Sequence, residues 1–283
     1  MKLGIVFEGG ASRGYFSAGV MDKFLDFGIR PDYVIGASAG IANGVSFISG
    51  QKGRNLIIGT KYLHDKRYMG MRHMLNRKNK SYYNIDFVFN DIPNKYLPFD
   101  YKAFESSQTE KIAVVTNIET GKAEYMPVPS NDKEWRLIVA SCALPILFPP
   151  IEINGKKYFD GGIADSIPYK RALEDGCDKI IVVLTRERSY EKKDESTMKL
   201  AAFHYRKYPN LVKALRNRAL NYNKCRNELL KLEIEGKALV IAPESTADWK
   251  RTEKSPNAIE KMYNEGVSEA LVNENKIRDF ISD

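Results

Sequence analysis

The 283-residue sequence predicts an α/β fold on a mainly parallel sheet, followed by a mainly helical C-terminal region. Three observations predict it. Strand-like and helix-like segments alternate up to about residue 60. The early strands read as unbroken apolar runs, the pattern of strands covered on both faces. After Thr185 the composition turns charged and polar, and long helical patterns take over. Strand–helix–strand alternation places successive strands parallel, joined by right-handed crossovers.

"LGIVF" (3–7) is the first strand, and the helix after it carries Phe16, Val20, Phe24 and Phe27 at helical spacing, with Gly28 to end it. "DYVIGA" (32–37) is the second strand and "IANGVSFISG" (41–50) a helix of small residues. Residues 61–110 are less regular and contain the basic, Met- and Tyr-rich stretch "KRYMGMRHMLNRKNKSYY". "KIAVVTNIETGKAEYMPV" reads as two strands turning at Thr120-Gly121. "DKEWRLIVASCA" is a helix stopped by Leu144-Pro145, "KKYFDGGIADSIP" a strand entering a Gly-Gly turn, and "CDKIIVVLT" another strand. "RERSYEKKDESTMK" is expected as an exposed boundary loop. Leu211, Leu215, Tyr222 and Leu229 then mark one face of a long helix, "KALVIAP" a late strand, and 257–272 a final helix.

Forty-four Lys and Arg against 36 Asp and Glu leave a formal charge of +8. That balance suits anionic partners, and it equally suits plain solubility. Cys142, Cys177 and Cys225 form no CxxC pair, so no disulfide framework or zinc site is expected, and a reducing, cytoplasmic location fits. The chain enters a strand at once, without a leader pattern, and its longest apolar run is broken by prolines. Contact with lipid is therefore expected from the water side, peripherally at the inner membrane face.

"FEGGASRG" (7–14) aims backbone N–H groups at one point, beside a helix N-terminus where negative charge is stabilised. The dinucleotide fingerprint fails at Ala11, which stands where its second glycine should be. The P-loop reading fails because Tyr15 and Phe16 replace its Lys-Ser/Thr pair. What remains is a cradle for an oxyanion, with Gly9, Gly10 and Ala11 as candidate donors before Gly14. Arg13 either holds this loop or lies on the surface.

"GASAG" places Ser38 between Gly36 and Gly40, after a strand and before a helix, the setting of a nucleophile elbow. The bland reading of Ser38 is a helix N-cap. Asp160, before Gly161 and Gly162, is the candidate base; the same segment reads equally as an Asx turn. An aspartate needs desolvation and a direct hydrogen bond to deprotonate a serine. His64 and His73 lie in the basic stretch and are expected at the surface; His204 lies in a cationic helical segment. Asp165 is expected to be structural.

"GGASRG", "GASAG" and "DGG", in that order, make the chain similar to the patatin-like phospholipases, most of all a bacterial branch of uncertain substrate, over roughly residues 1–185. The resemblance implies a three-layer α/β/α sandwich over 1–185, with 186–283 as a mainly helical region whose late strand can rejoin the sheet. It implies a Ser38–Asp160 dyad and an oxyanion hole at Gly9, Gly10 and Ala11, with Arg13 nearby. Hydrolysis of acyl lipid esters without cofactor or metal follows. Ala11 departs from the family's third loop glycine.

Two rivals remain at this stage. One is an α/β-hydrolase esterase with a Ser38, Asp160, His204 triad, whose elbow would come unusually early in the chain. The other is a basic nucleic-acid-binding protein, for which no recognised module is visible. The partners expected are an acyl lipid and an anionic membrane surface, with no nucleic acid; nothing in the sequence sets an oligomeric state.

Overall fold

The computed structural model describes residues 1–77 and 79–282. Lys78 of the basic stretch and the terminal Asp283 lie outside the described residues. Strand β1 (Leu3–Phe7) is wholly buried, and its side chains divide between two cores. Leu3, Ile5 and Phe7 enter one; Val6 enters the other. In β2 (Tyr33–Ala37), Val34 joins the first core while Tyr33, Ile35 and Ala37 join the second. Side chains alternate across a strand, so a strand between two cores must be apolar at every position.

Helices α1 (Gly14–Asp26) and α2 (Ala39–Ile48) cover the first face, with the Arg136–Cys142 and Pro256–Val272 helices. The Tyr169–Glu174 and Pro209–Ile234 helices cover the second. The result is the three-layer α/β/α sandwich. Strands β3 (Glu110–Asn117), β7 (Lys179–Val183) and β8 (Ala238–Ile241) run parallel with β1 and β2. Three more strands are antiparallel: β4 (Ala123–Pro127) and β6 (Lys156–Asp160) against β3, and β5 (Ile151–Ile153) against β6. The eight-stranded order is β5-β6-β3-β2-β1-β7-β8, with β4 also on β3.

The register on β3 builds the site. Strand β4 pairs with Ile112–Thr116 along one edge, so β2 and β6 must share the other. The last β2 pair is Ala37↔Val114, and the adjoining β6 pair is Asp160↔Val115. Two strands running in opposite directions therefore meet end to end on neighbouring β3 residues. The residue after Ala37 is Ser38.

In the C-terminal region β8 pairs parallel with β7. It also interlocks with α1. A Cβ added at Gly19 would stand 2.0 Å from the Tyr263 carbonyl oxygen, and one at Gly266 would stand 2.0 Å from that of Phe16. Only glycine permits so close a helix crossing. The 186–199 segment is not simply the exposed loop expected, because Lys192 is buried with its ammonium 4.3 Å from the Tyr222 ring centroid. The described residues of 61–110 include short helical turns, among them a π-helical stretch at Phe87–Tyr96, and a further helix spans Glu274–Ser282. Among the described residues no helix is long and apolar enough to cross a membrane.

Candidate active site

Parallel pairing sets Phe7 opposite Gly36, so the loops leaving β1 and β2 emerge side by side. Ser38 occupies the second loop at φ 53°, ψ −127°, a conformation L-residues rarely adopt. Such strain persists only where the surroundings enforce it. Here Gly36 and Gly40 do so: an added Cβ would lie 2.7 Å from the Ile41 nitrogen or 2.3 Å from the Phe7 carbonyl oxygen. The Ser38 side chain makes no N-cap hydrogen bond, which removes the bland reading of this serine. Its N–H donates to Ser141 Oγ (2.9 Å), whose hydroxyl donates to the Val114 carbonyl (2.7 Å). Ser141 thus ties the elbow to β3.

The Ser38 hydroxyl lies within hydrogen-bonding reach of the Asp160 carboxylate and of Cys142 Sγ. Asp160 is 3% exposed. Its Oδ1 accepts the Gly162 N–H (2.7 Å), and Gly161 packs where a Cβ would meet the Val114 carbonyl oxygen at 2.2 Å. Burial pushes the Asp160 carboxyl above its ordinary value. Hydrogen bonds from Ser38 and Gly162 and the charges of Arg218 and Arg251 offset only part of that rise. The carboxylate is therefore a stronger base than a solvated aspartate. Burial raises the Cys142 thiol too, which keeps it neutral and unreactive beside Ser38.

In the first loop the Gly9 N–H donates to the Ser166 carbonyl (3.4 Å) and is not a free donor. Gly9 instead lets the loop touch the elbow, since a Cβ there would meet Ser38 Cβ at 3.2 Å. The N–H groups of Gly10 and Ala11 donate to no other protein group among the described residues. Ala11 holds φ 50°, in the left-handed region that favours glycine. Gly14 begins α1, where a Cβ would press on Ala39 Cβ at 3.0 Å. Arg13 is buried, not on the surface; burial and nearby Arg186 bring its guanidinium down to about 10 despite Glu8.

The histidines lie elsewhere. His204 is exposed, its ring edge-on to that of Tyr205 (centroids 4.8 Å apart), and His64 is exposed. His73 corrects the surface expectation: it is buried, with Nε2 3.1 Å from the Lys66 carbonyl oxygen in its own loop. Asp165 is structural, accepting the Tyr125 hydroxyl (2.9 Å) and the Ile167 N–H.

A cavity of about 170 Å³ opens beside Ser38. Tyr15, Leu63, Tyr68, Ile92 and Phe148 help to line it, so the irregular 61–110 segment is a pocket wall.

A family model for patatin-like phospholipase matches residues 5–173. The chain belongs to the patatin-like phospholipase family. A second model, for a domain of unknown function (DUF6363), matches residues 208–282. Over 190 residues the chain is 27% identical to the uncharacterized protein YjjU of Escherichia coli K12, covering 65% of this chain and 52% of that protein. Over 185 residues it is 28% identical to lysophospholipase NTE1 of Yarrowia lipolytica, covering 64% of this chain and 12% of that one. The chain thus spans about half of the first relative and a small part of the second. VipD from Legionella pneumophila shares the fold, with a TM-score of 0.50 and 14% identity over 95% of this chain and 66% of that chain.

In this patatin-like chain the C-terminal region braces both loops of the candidate site, which the motifs alone do not disclose. Arg218 Nε donates to the Gly162 carbonyl (2.8 Å), and Glu195 bridges Arg218 (2.8 Å) to Arg251 (2.7 Å). Ser12 of the first loop donates its N–H to the Arg251 carbonyl (3.1 Å) and its hydroxyl to that of Glu253 (2.9 Å). One sequence signal existed: Arg218 falls between Leu215 and Tyr222 on the apolar stripe of its helix, where a solvated arginine has no place.

Proposed function

We propose that the chain hydrolyses carboxylic esters of acyl lipids through Ser38 and Asp160. Ser38 Oγ bonds to the ester carbonyl carbon as Asp160 takes the hydroxyl proton. The N–H groups of Gly10 and Ala11 hold the oxyanion. The C–O bond to the alcohol breaks, and Asp160 returns the proton to that alcohol. Water then attacks the acyl-enzyme, with Asp160 again as base, and frees the fatty acid and Ser38. The observation that carries this reading is a strained serine within reach of a buried carboxylate of raised proton affinity. Among the described residues no histidine lines the cavity beside Ser38.

Wild-type protein is expected to release fatty acid from lysophosphatidylcholine micelles, and Ser38→Ala to lower turnover about 10³-fold or more. Equal turnover by both proteins would overturn the reading.

Lipid contact is proposed through two exposed apolar prongs, Met71 with Leu75 (86% exposed) and Leu200 with Phe203 (69% exposed). Arg72, Arg77, Lys199, Arg206 and Lys207 surround them, so an anionic bilayer is the complementary partner. The Leu200–Phe203 prong sits on a segment whose Met198, Ala201 and Ala202 join a cluster with Phe148, on which Tyr83 stacks. Co-sedimentation is expected with anionic but not zwitterionic vesicles, weakening with salt and lost in Leu75→Ser/Phe203→Ser. Retention of the double variant on anionic vesicles would count against this face.

A further inference from the structure

Arg54 stands in the wall of the cavity beside Ser38 and is 7% exposed. One terminal nitrogen donates to the Leu97 carbonyl (2.9 Å), and the guanidinium lies 5.3 Å from the Phe99 ring centroid. Its Nε is buried with no hydrogen-bond partner among the described residues. The ionisable neighbours acting on it are tyrosines, Tyr101, Tyr62 and Tyr68, and no carboxylate is among them. Burial brings it down only to about 10, so it carries its charge at neutral pH. Arg218, also buried, is paired with Glu195. Among the described residues Arg54 is a buried cation without a counter-charge, an unfavourable arrangement unless a ligand supplies one.

An alkyl chain suits the apolar walls made by Val45, Ile58, Leu63 and Ile138 but leaves this guanidinium uncompensated. A planar fork with unused nitrogens matches the oxygens of a carboxylate or phosphate. We propose that the cavity takes a substrate arm whose apolar chain ends in an anionic oxyacid group, with Arg54 as the residue that binds it. The inference rests on the hydrolase reading for its word "substrate", and it makes Arg54 a specificity residue rather than part of the chemistry. A carboxylate would place the anion on the acyl side of the ester; a phosphate would place it on the alcohol side.

Binding can be read without turnover, by calorimetry with octanol, octanoate and octyl phosphate. Octanoate or octyl phosphate is expected to bind wild type about 10- to 100-fold more tightly than octanol, the scale of hydrogen bonds to a charged group. In Arg54→Met that advantage should shrink to within about threefold, with octanol affinity unchanged. Arg54→Lys should keep part of it. Which of the two anions wins identifies the source of the charge. Equal binding of all three to wild type would overturn the proposal even if Arg54→Met failed to fold. An equal loss of all three in a folded Arg54→Met would overturn it as well. A protein that shows the anion preference yet cleaves no ester would sink the hydrolase reading and leave the anion site standing.

Discussion

Asp160→Asn is expected to lower kcat for ester hydrolysis about 10²-fold or more, the usual scale for loss of a general base, while the protein melts at an equal or higher temperature. Asparagine keeps the oxygen that accepts the Gly162 N–H, so the turn survives. It removes the buried charge. Because burial raises the folded-state value of Asp160, the stability it contributes is fully present below the unfolded carboxylate value and is lost as pH rises through the folded one. At neutral pH the ionised group is a burden, and the substitution relieves it. The same shift sets the pH profile. Wild-type kcat/KM should rise with pH along a limb above the ordinary carboxylate range, and Asp160→Asn should lack that limb. Catalytic units are non-additive, so Ser38→Ala/Asp160→Asn should be little worse than Ser38→Ala. Healthy turnover by Asp160→Asn, with His204→Ala inactive, would replace the dyad by a Ser–His mechanism.

Gly10→Val should cost about 10²- to 10³-fold in kcat, the scale of a lost oxyanion donor. The reason is space, since the Gly10 φ of −159° lies outside the left-handed region. An added Cβ would stand 2.5 Å from Thr185 Oγ1 and 2.8 Å from Thr185 Cβ. Thr185 is fully buried, and its N–H is held by Glu8 (2.6 Å), so the loop must give way and carry the Gly10 and Ala11 N–H groups with it. Trimming the obstacle should help: Gly10→Ala/Thr185→Ala is expected to recover part of the activity that Gly10→Ala loses. A Gly10→Val protein with full turnover would place the oxyanion site elsewhere.

The readable parts of this molecule are those whose causes are local. Continuous apolar runs at 3–7 and 180–184 disclosed strands covered on both faces, because each strand alternates between two cores. The glycines at 36, 40 and 161 were legible because the close approaches they permit occur at strand ends, where sequence and structure coincide. Asn154-Gly155, with φ 50° and 76°, turns β5 into β6, and its hairpin signal is faint in the sequence because β5 is only three residues long. Ser141 was hidden inside an apolar helical run; its role depends on β3 lying behind it. The burial of His73 was beyond reach for a related reason: the 61–110 segment holding it has little periodicity and takes its shape from the pocket it walls.

The central claim is that Ser38 is the nucleophile. Labelling the intact protein with a fluorophosphonate, followed by peptide mapping, tests it most directly. The account predicts one adduct, on Ser38, absent from Ser38→Ala and strongly slowed in Asp160→Asn. A folded wild-type protein that hydrolyses lipid esters yet carries its adduct on another residue, or none at all, would contradict it.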